Sequence, residues 1–333
     1  MDPALLPVIW AAIIGFAILA YVLLDGFDLG VGILFGFASQ EEDRRVMMSS
    51  IAPVWDGNET WLILVGAGLF GAFPVIYAVF LPAFYLPIAL LLLALVFRGV
   101  AFEFRYRTVR MRWLWDTGFW LGSIIVAFVQ GAAIGTLVRQ IPVVERQYAG
   151  GPFEWLSFFS VLCGIGLVIT YALLGASWLV MKTEGHVRAR AYGLLNWLLV
   201  AVLFFVVVTF LYAVNSDPRI MQRWTDTQLL FLLPQWVLFA AVALFVSTLT
   251  RQSDWVPFAA SATIVTFAYL MLVTTFWPYM IPFSLTVEQA AAPAASLTFM
   301  FWGAGLVAFP VVLIYTVSVY VLFRGKVRQA AEY

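Results

Sequence analysis

Apolar residues run along this chain in stretches of about 20, the length that carries a helix across a hydrocarbon core of roughly 30 Å, and short polar connections separate them. Nine such windows are legible, at about 7–37, 51–73, 76–97, 114–137, 157–180, 192–214, 229–249, 256–276 and 296–323. The pattern predicts an all-α polytopic membrane protein, with residues 1–333 forming a single integral membrane domain. The first window is about 30 residues long and is expected to tilt, project from the membrane, or bend near Gly26, Gly30 and Gly32. Only the turn around Pro74 separates the second window from the third, and Pro82 and Pro87 predict a kink or break early in the third. Pro53 is expected in the first turn of the second span, after a polar segment from Gln40 to Ser50. Met1–Pro7 has neither a positively charged segment nor a small-residue cleavage site, so the first span is expected to be retained.

Composition agrees with this picture: 64% of residues are hydrophobic and 11% charged, against roughly a quarter charged in a soluble domain. Eighteen basic residues balance eighteen acidic ones, which leaves no basic surface for nucleic acid. The basic residues divide fourteen to four between alternate connections, with Arg328 among the fourteen. The positive-inside rule then predicts a periplasmic N-terminus and a cytoplasmic C-terminus, which an odd number of spans requires. Trp10, Trp113, Trp115, Trp155, Trp224, Trp255 and Trp277 stand at span ends as interfacial anchors. No internal repeat or linker is evident, and no outward connection is long enough for a separate catalytic fold.

A lone cysteine, Cys163, excludes a disulfide framework and multi-cysteine metal sites, and it is expected to pack inertly. A lone histidine, His186, excludes a bis-histidine haem or a histidine-rich metal centre and reads as a solvated loop residue. The methionines are scattered, and neither a phosphate loop nor a nucleophile with a histidine base is present. The chain does not read as a self-sufficient enzyme, and no metal is expected on it.

Four carboxylic acids lie inside the first two spans: Asp25 and Asp28, then Asp56 and Glu59. Each pair is spaced i, i+3 and shares a helical face. Asp25 falls about 27 Å along its span, and Asp56 and Glu59 about 8 and 12 Å into theirs, so all four belong to the inner half of the membrane. A carboxyl group in hydrocarbon costs at least ~2.5 kcal/mol, so these groups are expected to face the bundle interior. No lysine or arginine lies within either span, leaving Arg44 and Arg45 as the nearest cations. Desolvation and mutual repulsion disfavour four bare charges together, which predicts carboxyls that hold protons part of the time and pass them through water. The predicted site is a proton half-channel opening on the cytoplasm, with Asp56 its most deeply committed acid and Glu59, Asp25 and Asp28 lining it. Arg98, Glu103 and Asp116 are candidates for its mouth, with Arg98 and Glu103 near enough in sequence to pair. The basic run from Arg98 to Arg112 could set topology or dock anionic lipid or a partner. The flanking glycines suit close helix packing, Gly26 and Gly30 forming a Gly-x-x-x-Gly pair. A polar network that merely joins the two spans and a cation site are the other readings of the acids.

The motifs Asp25-Gly26-Phe27-Asp28-Leu29-Gly30-Val31-Gly32 and Pro53-Val54-Trp55-Asp56-Gly57-Asn58-Glu59-Thr60-Trp61, followed by Gly68-Leu69-Phe70 and Phe73-Pro74, closely resemble subunit II of the cytochrome bd-type ubiquinol oxidases. The resemblance is strongest over residues 15–110. It implies nine spans arranged as two four-helix bundles plus one peripheral helix, in the bacterial inner membrane. It implies a haem-bearing partner, subunit I, carrying two b-type haems and haem d or a b-type variant, with room for a small single-span third subunit. This chain would carry no redox haem, although a structural quinone occupies the corresponding space in some members. By motif position, Asp56 matches the family acid of cytoplasmic proton entry, and Asp25 and Asp28 match acids lining the same route. Glu59 stands where some relatives have an amide. The implied reaction is quinol oxidation coupled to reduction of O2 to water, and the compact outward loops resemble the cyanide-insensitive branch. A proton-coupled secondary transporter is the alternative, and it would call for repeats and a second acidic pattern. A purely structural scaffold leaves the four acids unexplained.

Overall fold

The computed structural model of the chain describes residues 3–108 and 110–327, so Met1, Asp2 and the basic Arg328 of the tail lie outside the described residues. The elements in chain order are α1 (Leu6–Phe35), α2 (Glu41–Ile51), α3 (Trp55–Ala72), α4 (Pro74–Ala83), α5 (Tyr85–Arg107), α6 (Arg112–Val138), β1 (Val143–Val144) and β2 (Gln147–Tyr148). They continue with α7 (Phe158–Lys182), α8 (Gly185–Ser216), α9 (Pro218–Asp226), α10 (Leu233–Thr250), α11 (Val256–Phe276), β3 (Tyr279–Ile281), β4 (Leu285–Thr286), α12 (Val287–Ala290), α13 (Ala294–Met300) and α14 (Phe309–Leu322). A π-helical stretch, Phe301–Ala308, joins α13 to α14 as one apolar helix of 29 residues.

Among the described residues, eight helices are long and apolar enough to cross a membrane. The second expected span is not one of them: α3 has 18 residues, and the polar group Asp56, Asn58 and Glu59 in its first turns dilutes its apolar content. The third expected span is broken at Phe84 into α4 and α5, between the two prolines that predict a break. The polar segment from Gln40 is itself a helix, α2, which starts with Glu41, Glu42 and Asp43 where the helix dipole favours negative charge. Pro53 lies in the turn between α2 and α3 rather than inside a helix.

The glycines of α1 serve packing and not bending, since α1 is one continuous 30-residue helix, about 45 Å long at 1.5 Å per residue. It packs against α3, α6 and α7. A Cβ on Gly30 would sit 1.8 Å from the carbonyl oxygen of Tyr171, and one on Gly175 would sit 2.3 Å from the carbonyl carbon of Gly30. The main chains of α1 and α7 therefore touch at this crossing. With no solvent-driven hydrophobic term between helices in lipid, such close approach is a main source of association. Gly32 plays the same part against α6, where a Cβ would come within 2.0 Å of Ser123 Oγ. Next to this seam the Phe27 ring stacks on Trp178 at a centroid distance of 3.9 Å, and the Trp178 indole donates to Ser50 O of α2 at 3.2 Å.

Hydrogen bonds divide the connections between two ends of the bundle. At one end Arg44 of α2 meets Asp116 of α6, Arg190 of α8 donates to Phe37 O, and Lys326 of the tail meets Asp254 between α10 and α11. Lys182 there donates to Phe323 O at 2.5 Å, and Val327 N–H to Lys182 O at 2.8 Å, so the tail is tied along the end of α7. At the other end Arg219 donates to Gln140, Arg223 to Trp277 O, and Ala292 to Ala72 O, beside the β1–β2 and β3–β4 hairpins. The described basic residues gather at the first end.

Candidate functional site

The inner half of α1 is enclosed on all sides: every residue from Asp25 to Phe35 is buried, and neither Asp25 nor Asp28 has any exposed area. Asn58, one turn into α3, joins three helices. Its amide donates to Asp28 Oδ2 at 2.6 Å and to Leu24 O at 3.3 Å, while its Oδ1 accepts from the Tyr320 hydroxyl of α14 at 3.0 Å. Glu59, on the next residue, turns toward α5 and accepts a hydrogen bond from Arg98 Nη1.

Arg98, expected at the mouth, is the cation that reaches these acids, in place of the expected Arg44 and Arg45. The relevant guanidinium comes from α5, has no exposed side-chain area, and lies 3.5 Å from Asp25 Oδ1 as well as on Glu59. Asp25 and Glu59 thus share one guanidinium, with Asp28 about one turn from Asp25 on the same helix. Three carboxyl groups and one cation in one cluster titrate together, so any proton they hold belongs to the group rather than to one residue. Asp25 Oδ1 and Oδ2, Asp28 Oδ1, Arg98 Nε and Nη2 and Trp61 Nε1 have no hydrogen-bond partner among the described residues. Buried polar atoms of this kind are where bridging water and exchangeable protons bind.

A second polar chain leads away from Asp25 on the side of the hairpins. Tyr21, one turn earlier on α1, accepts a hydrogen bond from Gln130 Nε2 of α6 at 2.9 Å, and Gln130 Oε1 accepts from the Tyr171 hydroxyl of α7 at 2.7 Å. Because Tyr21 accepts here, its own hydroxyl proton is left to donate, and Asp25 lies one turn further along the same helix.

The other expected site residues fall elsewhere. Asp56 is exposed on the outer face of the chain, in line with Ile63 and Phe70 at heptad spacing, and is therefore the least enclosed of the four acids rather than the deepest. Asp56 lies in the first turn of α3; Asn58, about 200° round the helix from it, meets α1, and Glu59, only about 60° from it, reaches Arg98 of α5. Glu103 lies 3.7 Å from Arg107, both largely exposed, and does not pair with Arg98. Asp116 belongs to a separate arginine network, accepting from Arg44 at 2.9 Å and Arg105 at 2.5 Å. In that network burial works upward on the Glu41 carboxyl, but the hydrogen bond from Arg105 and the charges of Arg105 and Arg112 outweigh it and hold the group below the usual carboxylate range.

His186 is the second residue of α8 rather than part of a loop; its Nδ1 lies 2.8 Å from Asp43 Oδ2, with the side chain 58% exposed. Among the described residues there is no group of three or more His, Cys, Asp or Glu placed to hold a metal ion.

Sequence reasoning missed Arg98 as the central cation, along with Tyr21, Gln130, Tyr171 and Tyr320. A signal existed for two of them: Tyr21 lies four residues before Asp25, and Gln130 is an amide within an apolar span.

Comparison with known proteins points one way. The model of the family described as "Cytochrome bd terminal oxidase subunit II" matches residues 6–323. Cytochrome bd-I ubiquinol oxidase subunit 2 of Escherichia coli K12 is 31% identical over 98% of this chain and 96% of its own length. Cytochrome bd ubiquinol oxidase subunit 2 of Bacillus subtilis is 29% identical, covering 96% of both. A chain of the bd oxidase from Geobacillus thermodenitrificans shares the fold with a TM-score of 0.76 over 96% of this chain and 98% of that one, at 15% identity.

Proposed function

Because the chain belongs to the cytochrome bd terminal oxidase subunit II family, we propose that it serves as the haem-free subunit of a quinol:oxygen oxidoreductase and supplies part of the path by which protons reach oxygen chemistry in a haem-bearing subunit I. Its own residues do not fit haem iron: His186 is on the surface and engaged by Asp43. The redox steps therefore belong to the partner, and this chain moves protons.

The observation that carries the reading is the enclosed set Asp25, Asp28 and Glu59 around Arg98, more carboxyls than cations, with unpartnered oxygens. Asp56 extends this set to the exterior of the chain. A bare carboxyl facing lipid costs at least ~2.5 kcal/mol, so its exposed face suits contact with subunit I or with water held between the subunits. Protons would pass between Asp56 and Glu59, one helical turn apart, and then to Asp25 and Asp28. Arg98 keeps the pathway from carrying net negative charge and orients Glu59 and Asp25, while Asn58 fixes Asp28.

In this reading α3 supplies the ninth crossing, the nine form two four-helix bundles and one peripheral helix, and the arginine-rich end faces the cytoplasm of a bacterial cell. Family membership favours an oxidase subunit over a secondary transporter.

The test uses the assembled oxidase in proteoliposomes, with quinol supplied and proton uptake followed from the arginine-rich side. Asp25→Asn and Glu59→Gln are expected to slow proton-coupled turnover at least about tenfold while leaving the partner's haem spectrum intact. Unchanged turnover of both variants across the pH range would overturn the proton-path role.

A further inference from the structure

At the arginine-rich end, four arginines and two carboxylates form one connected network. Glu41 accepts from Arg105 at 2.8 Å and lies 3.4 Å from both Arg45 and Arg112; Asp116 accepts from Arg105 and Arg44. The charges do not balance, since four cations share two anions. Donor capacity is also in surplus. Arg105 has no exposed side-chain area and its Nη1 has no acceptor among the described residues, nor do Arg112 Nε and the Trp115 indole nitrogen. Arg44, Arg45 and Arg112 are each about a third exposed and so remain reachable from outside.

The surroundings state what kind of anion fits. The network sits where α5 ends and α6 begins, both long enough to cross a membrane. The same hairpin presents Phe104, Met111 and Trp113 as exposed apolar side chains, and Phe37 adds another beside α2. An anion held here has charge on one side and an apolar flank on the other. From these two features we infer that the network binds the phosphate of an anionic phospholipid in the adjacent leaflet, its acyl chains lying along the exposed apolar side chains of the α5–α6 hairpin. A phosphate diester accepts from several guanidinium N–H groups at once and supplies the negative charge the network lacks. A soluble phosphate ion would satisfy the charges but make no use of the apolar flank.

The experiment uses the whole oxidase complex, delipidated in neutral detergent and analysed by native mass spectrometry during titration with phosphatidylglycerol, phosphatidylcholine or inorganic phosphate. The expected result is saturable retention of phosphatidylglycerol over phosphatidylcholine, weakened about fivefold by Arg112→Gln and further by Arg45→Gln with Arg112→Gln, and weakened by salt. Arg107→Gln, whose partner Glu103 lies outside the network, is expected to leave retention unchanged. The part-exposed positions of Arg45 and Arg112 keep these variants foldable, and the haem spectrum reports assembly. Equal retention of phosphatidylcholine, an equal loss in Arg107→Gln, or no phosphatidylglycerol bound because the partner subunit covers the network would each overturn the inference. Binding of inorganic phosphate that excludes phosphatidylglycerol at the same affinity would assign the site to a soluble anion and overturn the lipid.

Discussion

Arg98 and Arg105 stand two helical turns apart on one buried face of α5, about 10.5 Å along its axis, and neither exposes any side chain. Arg105 gives Nε to Asp116 and Nη2 to Glu41, and both carboxylates have further cations. Arg98 engages through Nη1 alone, facing carboxyls whose oxygens are largely unmet. One arginine closes a structural tie with excess positive charge; the other stands in a centre with excess carboxyl groups. The same residue type on the same helix therefore serves anchorage at one level and, in the proposed pathway, proton traffic two turns away. What differs is the ratio of acids to cations around it.

That contrast can be broken most forcefully at Arg98. Arg98→Gln leaves buried acids without a cation and is expected to destabilise the chain by ~3–5 kcal/mol, read as loss of assembled, haem-containing complex. Arg98→Lys is expected to restore assembly while turnover stays low, because a point charge does not orient Glu59 and Asp25 as a planar fork does. Arg105→Gln is expected to cost less, ~1–3 kcal/mol in thermal stability, since Glu41 is part-exposed and water can replace its partner. Turnover per assembled complex should stay near that of the parent; a fall as large as for Arg98→Lys would erase the distinction between the two arginines.

Smaller changes sharpen it. Tyr21→Phe keeps the ring and removes the hydroxyl that accepts from Gln130 one turn from Asp25, and it is expected to cost ~1 kcal/mol or less while moving the pH profile of turnover. An unmoved profile would mean that Tyr21 only packs. The smallest effect concerns the tail. Burial works upward on Asp254, but hydrogen bonds from Arg188, Lys326 and Tyr192 outweigh it and hold the carboxyl down at about 2. A carboxylate lower in the folded chain than its ordinary value of ~3.9 adds stability above that value and loses it as pH falls toward the folded one. The tail should therefore stay docked at pH 5 and release between about pH 4 and 2, with Lys326→Ala docking more weakly throughout. Protease access to the Phe323–Lys326 segment measures this.

The helical membrane architecture was legible because apolar runs of spanning length leave few alternatives. The break at Phe84 followed from Pro82 and Pro87. The acids on α1 were legible as interior groups because of their burial cost. What the sequence could not give was which of two adjacent turns of α3 points inward. With both faces carrying polar or small residues, the rotation of that helix is fixed by Asn58 finding Asp28 and Tyr320. Nor could it pair Arg98 with Asp25, 73 residues away, since that contact depends on how α5 folds back after the break at Phe84.

At the Gly30–Gly175 crossing, no rotamer is present to absorb a change in helix spacing. A displacement of α7 reaches α1 as movement of the whole main chain, because well-packed interiors transmit strain. Asp25 and Asp28, within about a turn of the crossing, travel with it. The reach between these acids and the guanidinium is thereby calibrated by two backbones in register, and a single added methyl group at Gly30 would act as a wedge felt at that reach and, in the proposed pathway, in the tempo of proton transfer.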